Sequence, residues 1–223
     1  MEDFCNYLDQ KIPLPRLFSS VFVRLNVSTT EKRAVISFLE PLRIKDAPTY
    51  DHSIRVGILN YKIASFMHLD RKALSYPGFM HDLGKILTNP ETLKKKDGWT
   101  AKDSRIMKAH VIDAFQIIRG KFDFTADVIK LHHFFQDNPY PALPPPFLHN
   151  YSNGTKATIQ FYARLLGLSD SYDALHRVNA KFGMRQALSG KHIKELMLQK
   201  NPDQKVLLTE LYKAEIFTTK IFS

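Results

Sequence analysis

The sequence predicts an all-α protein. Apolar residues recur mainly at the three- and four-residue spacing of a helix, few stretches alternate, and helix-starting residues precede several of the apolar runs. The 223 residues suit one domain or a domain with an appendage, and 44% hydrophobic content is ample for a buried core. We divide the chain into a short N-terminal accessory segment of unclear role, residues 1–45, and a main helical domain, residues 46–223.

Taken in order, residues 20–27 read as a strand or as part of a packed arm, and Pro13 and Pro15 break any helix before them. Thr29-Thr30-Glu31 starts a helix that runs to about Leu42. Pro48 fits the entrance of the next helix, roughly residues 50–67, which carries His52 in its first turn. Asp70 caps a helix that includes Phe79, His81 and Asp82 and ends near Gly84. A connection with Pro90 and Lys94-Lys95-Lys96 follows. Thr100 and Asp103 then resemble a capping box for a helix through Met107, His110, Phe115 and Ile118, closed by Gly120. The next helix, about residues 125–135, holds His132 and His133. Pro139, Pro141 and Pro144 to Pro146 exclude helix, so residues 136–153 form an irregular loop. A long helix, about residues 156–179, carries Asp170 and Tyr172. Two more, near residues 191–199 and 203–216, pack on the outside.

The net charge is +10, from 32 basic against 22 acidic residues, which attracts polyanions. A solvated basic surface accounts for it equally well. The charges are spread, with no Arg-rich arm and no regular alternation of basic and aromatic residues, so nucleic-acid binding is not indicated. The one cysteine, Cys5, excludes an intrachain disulfide and suits a reducing cytoplasm. No apolar run approaches the roughly 20 residues that span a bilayer, and Met1-Glu2-Asp3 does not open a signal peptide. A soluble cytoplasmic protein is expected.

Chemistry concentrates in seven side chains: His52, His81, Asp82, His110, His132, His133 and Asp170. Any one of these histidines alone reads as a core or capped residue, but the set falls on separate helices that one bundle can bring together. A single ion takes about four to six donors, so seven suit two ions sharing Asp82 and a bridging hydroxide, about 3.5–4 Å apart as in two-metal hydrolases. Imidazole with carboxylate suits Fe, Mn, Zn or Ni, and the donor set does not choose among them; Fe or Mn is the expectation, with Ni or Zn open. Lys85, one turn beyond His81-Asp82, is a candidate phosphate contact. Arg55 has the choice of phosphate or a structural salt bridge. Tyr140 and its neighbouring prolines form a candidate wall for a nucleobase. Trp99 and Lys94 to Lys96 read as packing and solvated loop residues, and Asp173 as a support for a ligand.

The ordered series His52, His81-Asp82, Asp170 resembles the HD superfamily of metal-dependent phosphohydrolases. Over about residues 50–200 the chain is more closely similar to the HD-GYP branch, cyclic dinucleotide phosphodiesterases. The matching stretches are His52-Ser53-Ile54-Arg55-Val56, His81-Asp82-Leu83-Gly84-Lys85-Ile86, Ile106-Met107-Lys108-Ala109-His110, Leu131-His132-His133 and Asp170-Ser171-Tyr172-Asp173-Ala174-Leu175. The chain departs from the branch after the paired histidines, where Pro139-Tyr140-Pro141 replaces the usual Gly-Tyr-Pro. Some members hold a third metal through a glutamate one turn before the first histidine; Pro48 stands there. The resemblance implies an HD-domain helical bundle with two divalent transition-metal ions. It also implies phosphodiesterase activity on a small anionic substrate, a cyclic nucleotide or cyclic dinucleotide, with Asp82 and Lys85 in the chemistry. Another HD nucleotide phosphohydrolase, a di-iron HD oxygenase and a catalytically silent metal-bound signalling module are the alternatives.

Overall fold

The computed structural model describes residues 12–176 and 188–218, and all of its regular elements there are helices. The stretch read as a strand or packed arm lies largely in α1 (Leu14–Arg24). Its Leu17, Phe18, Val21 and Phe22 share one helical face and are buried. Pro13 and Pro15 stand at the entrance of this helix, where the first-turn amides have no intrahelical acceptor to lose; the segment they were expected to interrupt lies outside the described residues. α2 (Thr29–Lys45) is capped by Ser28, whose hydroxyl accepts from the Glu31 amide, and buries Val35, Leu39 and Leu42.

α3 (Ala47–Phe66) is the central helix, buried without interruption from Val56 to Ala64, as a helix packed on all sides must be. Asp70 caps α4 (Arg71–Met80), its carboxylate accepting from the Ala73 amide at 2.9 Å. The two helices cross closely. A Cβ at Gly78 would stand 2.7 Å from the Gly57 Cα, and one at Gly57 would stand 2.0 Å from the Phe79 ring. α1 and α2 pack on α3, and their apolar residues belong to the same buried cluster as those of α3 and α4.

α4 stops at Met80, earlier than the sequence suggests. His81 caps it and Asp82 leads into a 3-10 turn, Leu83–Ile86. A short α5 (Pro90–Leu93) interrupts the lysine-rich connection. The capping box of Thr100 and Asp103 is formed at the start of α6 (Ala101–Lys108), but the expected single helix breaks at Ala109 before α7 (His110–Ile118). Gly120, at φ 81°, lies just beyond. α8 (Asp123–Ile129) also ends early, so His132 and His133 lie in turns after it rather than on a helix.

Residues 136–152 are irregular, as their prolines require. They are pinned by a buried ion pair between Lys130 and Asp127. Lys130 Nζ also donates to the Pro146 carbonyl at 2.8 Å, and the Asp127 carboxylate accepts from the Leu148 amide at 3.2 Å. α9 (Asn153–Leu175) is the long helix. Its expected continuation to residue 179 lies outside the described residues beyond 176. α10 (Gly190–Lys200) packs on α9, and a turn at Pro202–Gln204 leads to α11 (Lys205–Lys213). No helix among the described residues is long and apolar enough to cross a membrane.

Candidate metal centre

Each of three histidines sits just past the end of a helix and returns its Nδ1 proton to a carbonyl three residues back. His81 donates to Gly78 at 2.8 Å, His110 to Met107 at 2.6 Å and His132 to Ile129 at 2.6 Å. His52, in the second turn of α3, donates Nδ1 instead to the Asp173 carboxylate at 2.7 Å, which in turn is gripped by Arg55 at 2.7 and 3.0 Å. With the proton held on Nδ1, each ring presents the bare lone pair of Nε2 to the centre. At His133 the Gln136 amide nitrogen stands 2.7 Å from Nδ1 and donates to it.

All seven predicted donors converge. The ligand atoms of His52, His81 and Asp170 lie within 4.8 Å of one another, and so do those of His110, His132 and His133, giving two groups that could each hold a metal ion. Asp82 lies between the groups. Its Oδ1 is 3.4 Å from His110 Nε2, while its Oδ2 is 3.6 Å from both His52 and His81. Asp170 also spans the two, with Oδ1 3.0 Å from His52 Nε2 and Oδ2 3.9 Å from His133 Nε2.

Two glycines permit this convergence. A Cβ at Gly84 would fall 1.9 Å from the His110 carbonyl oxygen, so only glycine lets the 3-10 turn carry Asp82 up to α7. Gly84 was expected to end a helix; its role is this contact. A Cβ at Gly167 would stand 2.7 Å from the His132 carbonyl, and its absence brings α9 against the paired histidines. The rings of His132 and His133 are 3.9 Å apart, so the divergence of about 100° expected of neighbours on a helix does not apply.

Charge follows burial and pairing. Burial pushes His110 down to about 3 and His132 to about 4, and it also lowers His81 and His133, so these four rings are neutral near pH 7. Burial opposes ionisation of Asp82, but the Lys85 ammonium, 2.6 Å away, holds its carboxyl well below the usual range. Neutral imidazoles with ionised carboxylates are the ligand forms of these groups.

The donor set fits cations. The Nε2 atoms of His110 and His132 are buried without a hydrogen-bond partner. The Nε2 atoms of His52 and His81 face each other at 3.3 Å although both rings keep their protons on Nδ1. Lone pairs so opposed are stabilised by a positive charge between them.

The centre opens into a cleft of about 630 Å³, within the common size range of ligand sites. Lys85 and Tyr140 line it. Tyr140 stacks on His133 with ring centroids 4.3 Å apart, and Lys108 Nζ lies 4.9 Å from its ring centre. Arg55 does not line the cleft; of its two expected roles it takes the salt bridge. Trp99 and Lys94 to Lys96 are also outside the lining, with Trp99 Nε1 donating to the Lys95 carbonyl. The sequence reading missed one wall. α10, expected on the outside, contributes His192, Leu196, Met197 and Lys200 to the cleft, beside Arg164 of α9 and Phe135. Nothing in the spacing of these residues marks them, because the wall exists only once α10 folds back on α9.

An all-helical bundle in which histidines and aspartates from separate elements meet at one cleft defines a metal-binding helical domain. More particularly, an HD domain model matches residues 49–175, and the chain belongs to that family. No curated protein matches significantly. Among solved structures, the crystal structure of the L. monocytogenes phosphodiesterase PgpH HD domain is similar, with TM-score 0.53 and 17% identity. It covers 80% of this chain and 91% of that one. The same domain in complex with cyclic-di-AMP gives TM-score 0.52 and 18% identity over 80% of this chain and 90% of that one. At these identities the likeness is one of fold.

Proposed function

We propose that the protein is a metal-dependent phosphodiesterase acting on a cyclic nucleotide or cyclic dinucleotide, close in design to the HD-GYP branch despite Pro139. One observation carries the proposal: two donor groups share Asp82, which turns one carboxylate oxygen toward each. In this reading His52, His81 and Asp170 hold one divalent ion, His110, His132 and His133 hold the other, and Asp82 serves both. Such ions, Fe or Mn in this proposal, would supply Lewis-acid polarisation of a phosphoryl group and a water made acidic enough to attack near neutral pH.

The chain's own residues do the rest. The anchored Nδ1 protons fix the direction of the Nε2 lone pairs before substrate arrives. That preorganisation spares the site reorganisation during reaction. Lys85 stands beside Asp82 on the cleft wall, where its ammonium can offset charge that develops on a phosphoryl oxygen. Tyr140, stacked on His133 and with Lys108 Nζ 4.9 Å from its ring centre, lines the same cleft beside the metal ligands. The complex of the PgpH domain with cyclic-di-AMP supports a nucleotide of this class.

The test is elemental analysis of anaerobically purified protein paired with hydrolysis of a panel of cyclic mono- and dinucleotides. About two metals per chain, with turnover abolished in His81→Ala, is the expected result. Two irons with no phosphodiester cleavage but oxygen consumption would move the protein to the di-iron oxygenases. Failure to bind metal on reconstitution would leave a binding module.

A further inference from the structure

The cleft has an end that the metal donors do not use. Arg164 of α9 lines it, while Gly167, packed against His132, and Ser171 and Ala174, beyond Asp170, line the cleft elsewhere. Arg164 precedes Asp170 by six residues, about 9 Å along the helix axis. At that end Phe135 lines the cleft and keeps 38% of its surface exposed, unusual for an aromatic ring beside a buried centre.

The ring is also covered on one face. The Arg164 guanidinium lies over it, 5.7 Å from the ring centre, and is itself buried and fixed by Asp203 at 2.7 and 3.0 Å and Asn201 at 2.9 Å. Lys200, at the end of α10, is exposed on the same cleft and forms no ion pair among the described residues. An exposed ring backed by an immobilised guanidinium, with an unpaired ammonium nearby, is the equipment of a base-stacking platform beside an anion.

We infer that Phe135, backed by Arg164 and flanked by Lys200, is a nucleobase subsite that reads the part of the substrate remote from the scissile phosphate. This deepens the phosphodiesterase reading above and rests on it. α10 lies beyond residues 49–175, the part that the family model matches, whereas Phe135 and Arg164 lie within it.

The experiment compares the full-length, metal-loaded protein with Phe135→Leu and Lys200→Gln. The substrates are cyclic di-AMP, cyclic di-GMP and bis(p-nitrophenyl) phosphate, a small diester with no nucleobase. Leucine keeps an apolar side chain and removes the stacking face. In Phe135→Leu the ratio of kcat/KM for the preferred dinucleotide to that for the small diester falls about tenfold, through KM rather than kcat. In Lys200→Gln it falls a few-fold, more at low salt than at high. An unchanged ratio in both variants overturns the subsite. If the loaded wild type cleaves neither kind of diester, the phosphodiesterase reading fails. The subsite is then judged by calorimetric binding of the same dinucleotides: about tenfold weaker binding by Phe135→Leu upholds it, and equal affinity or no binding overturns it.

Discussion

A histidine is a useful metal ligand only when the proton on its other nitrogen has somewhere to go. In this chain that requirement is met four times by short bonds: three backbone carbonyls and the Asp173 carboxylate. Asp173 differs from the carbonyls because its charge also raises the basicity of the His52 ring, and because Arg55 orients it. Asp173→Asn keeps the shape and removes the charge. The expected outcome is a metal affinity lower by about 10- to 100-fold, the usual cost of losing such a supporting group. Competition with a chromogenic chelator measures it, and an unchanged affinity would reduce Asp173 to a partner for Arg55. The seven candidate donors were legible as a set in the sequence because their ordered series resembles the HD pattern and they fall on elements that one bundle can bring together. Arg164 and Phe135 were not, since an arginine and a phenylalanine fit any helical protein and only their contact gives them a role.

At the scale of elements, helix existence was legible and helix ends were not. Apolar periodicity located α2, α3, α4, α9 and α10 to within a few residues, and the cap of Thr100 and Asp103 stands as read. The helices carrying His81, His110 and His132 end or break early, and at each the histidine side chain takes the carbonyl three residues back. Periodicity cannot register a side chain that competes with the backbone ladder. The period of α1 was left open because its short apolar run satisfies both; of the two readings, the packed arm holds.

Two element-scale contacts are open to mutation. Gly84→Ala drives a methyl into the His110 carbonyl, a backbone atom that cannot swing aside. It is expected to cost about 1–3 kcal/mol or more and to separate Asp82 from His110, so thermal melting and metal content fall together. Normal melting with full metal would show that the turn has slack. Lys130→Met strips the partner from the buried Asp127, which also holds the Leu148 amide, and is expected to cost about 3–5 kcal/mol. Lys130→Met with Asp127→Leu removes both charges and is expected to recover part of that loss in a denaturant titration.

The whole molecule links the centre to the stability of the fold. Its donors come from α3, the end of α4, the start of α7, the turns after α8, and α9, so the unfolded chain cannot present them together. Ions bound by the native state alone stabilise it by RT ln(1 + [L]/Kd), about 2.7 kcal/mol at 100 times Kd. A domain of this size melts about 2–4 °C lower for each kcal/mol lost. Chelation at neutral pH is therefore expected to lower the melting temperature by roughly 5–11 °C, and restoring Mn or Fe to recover it. The loss should be smaller in His132→Ala, which has one fewer donor for an ion to use. Scanning calorimetry of the loaded, chelated and reloaded protein measures this. A melting temperature indifferent to metal in the wild type would mean that the ions, if bound at all, bind native and unfolded chains alike, and that the preorganised lone pairs belong to a structural core.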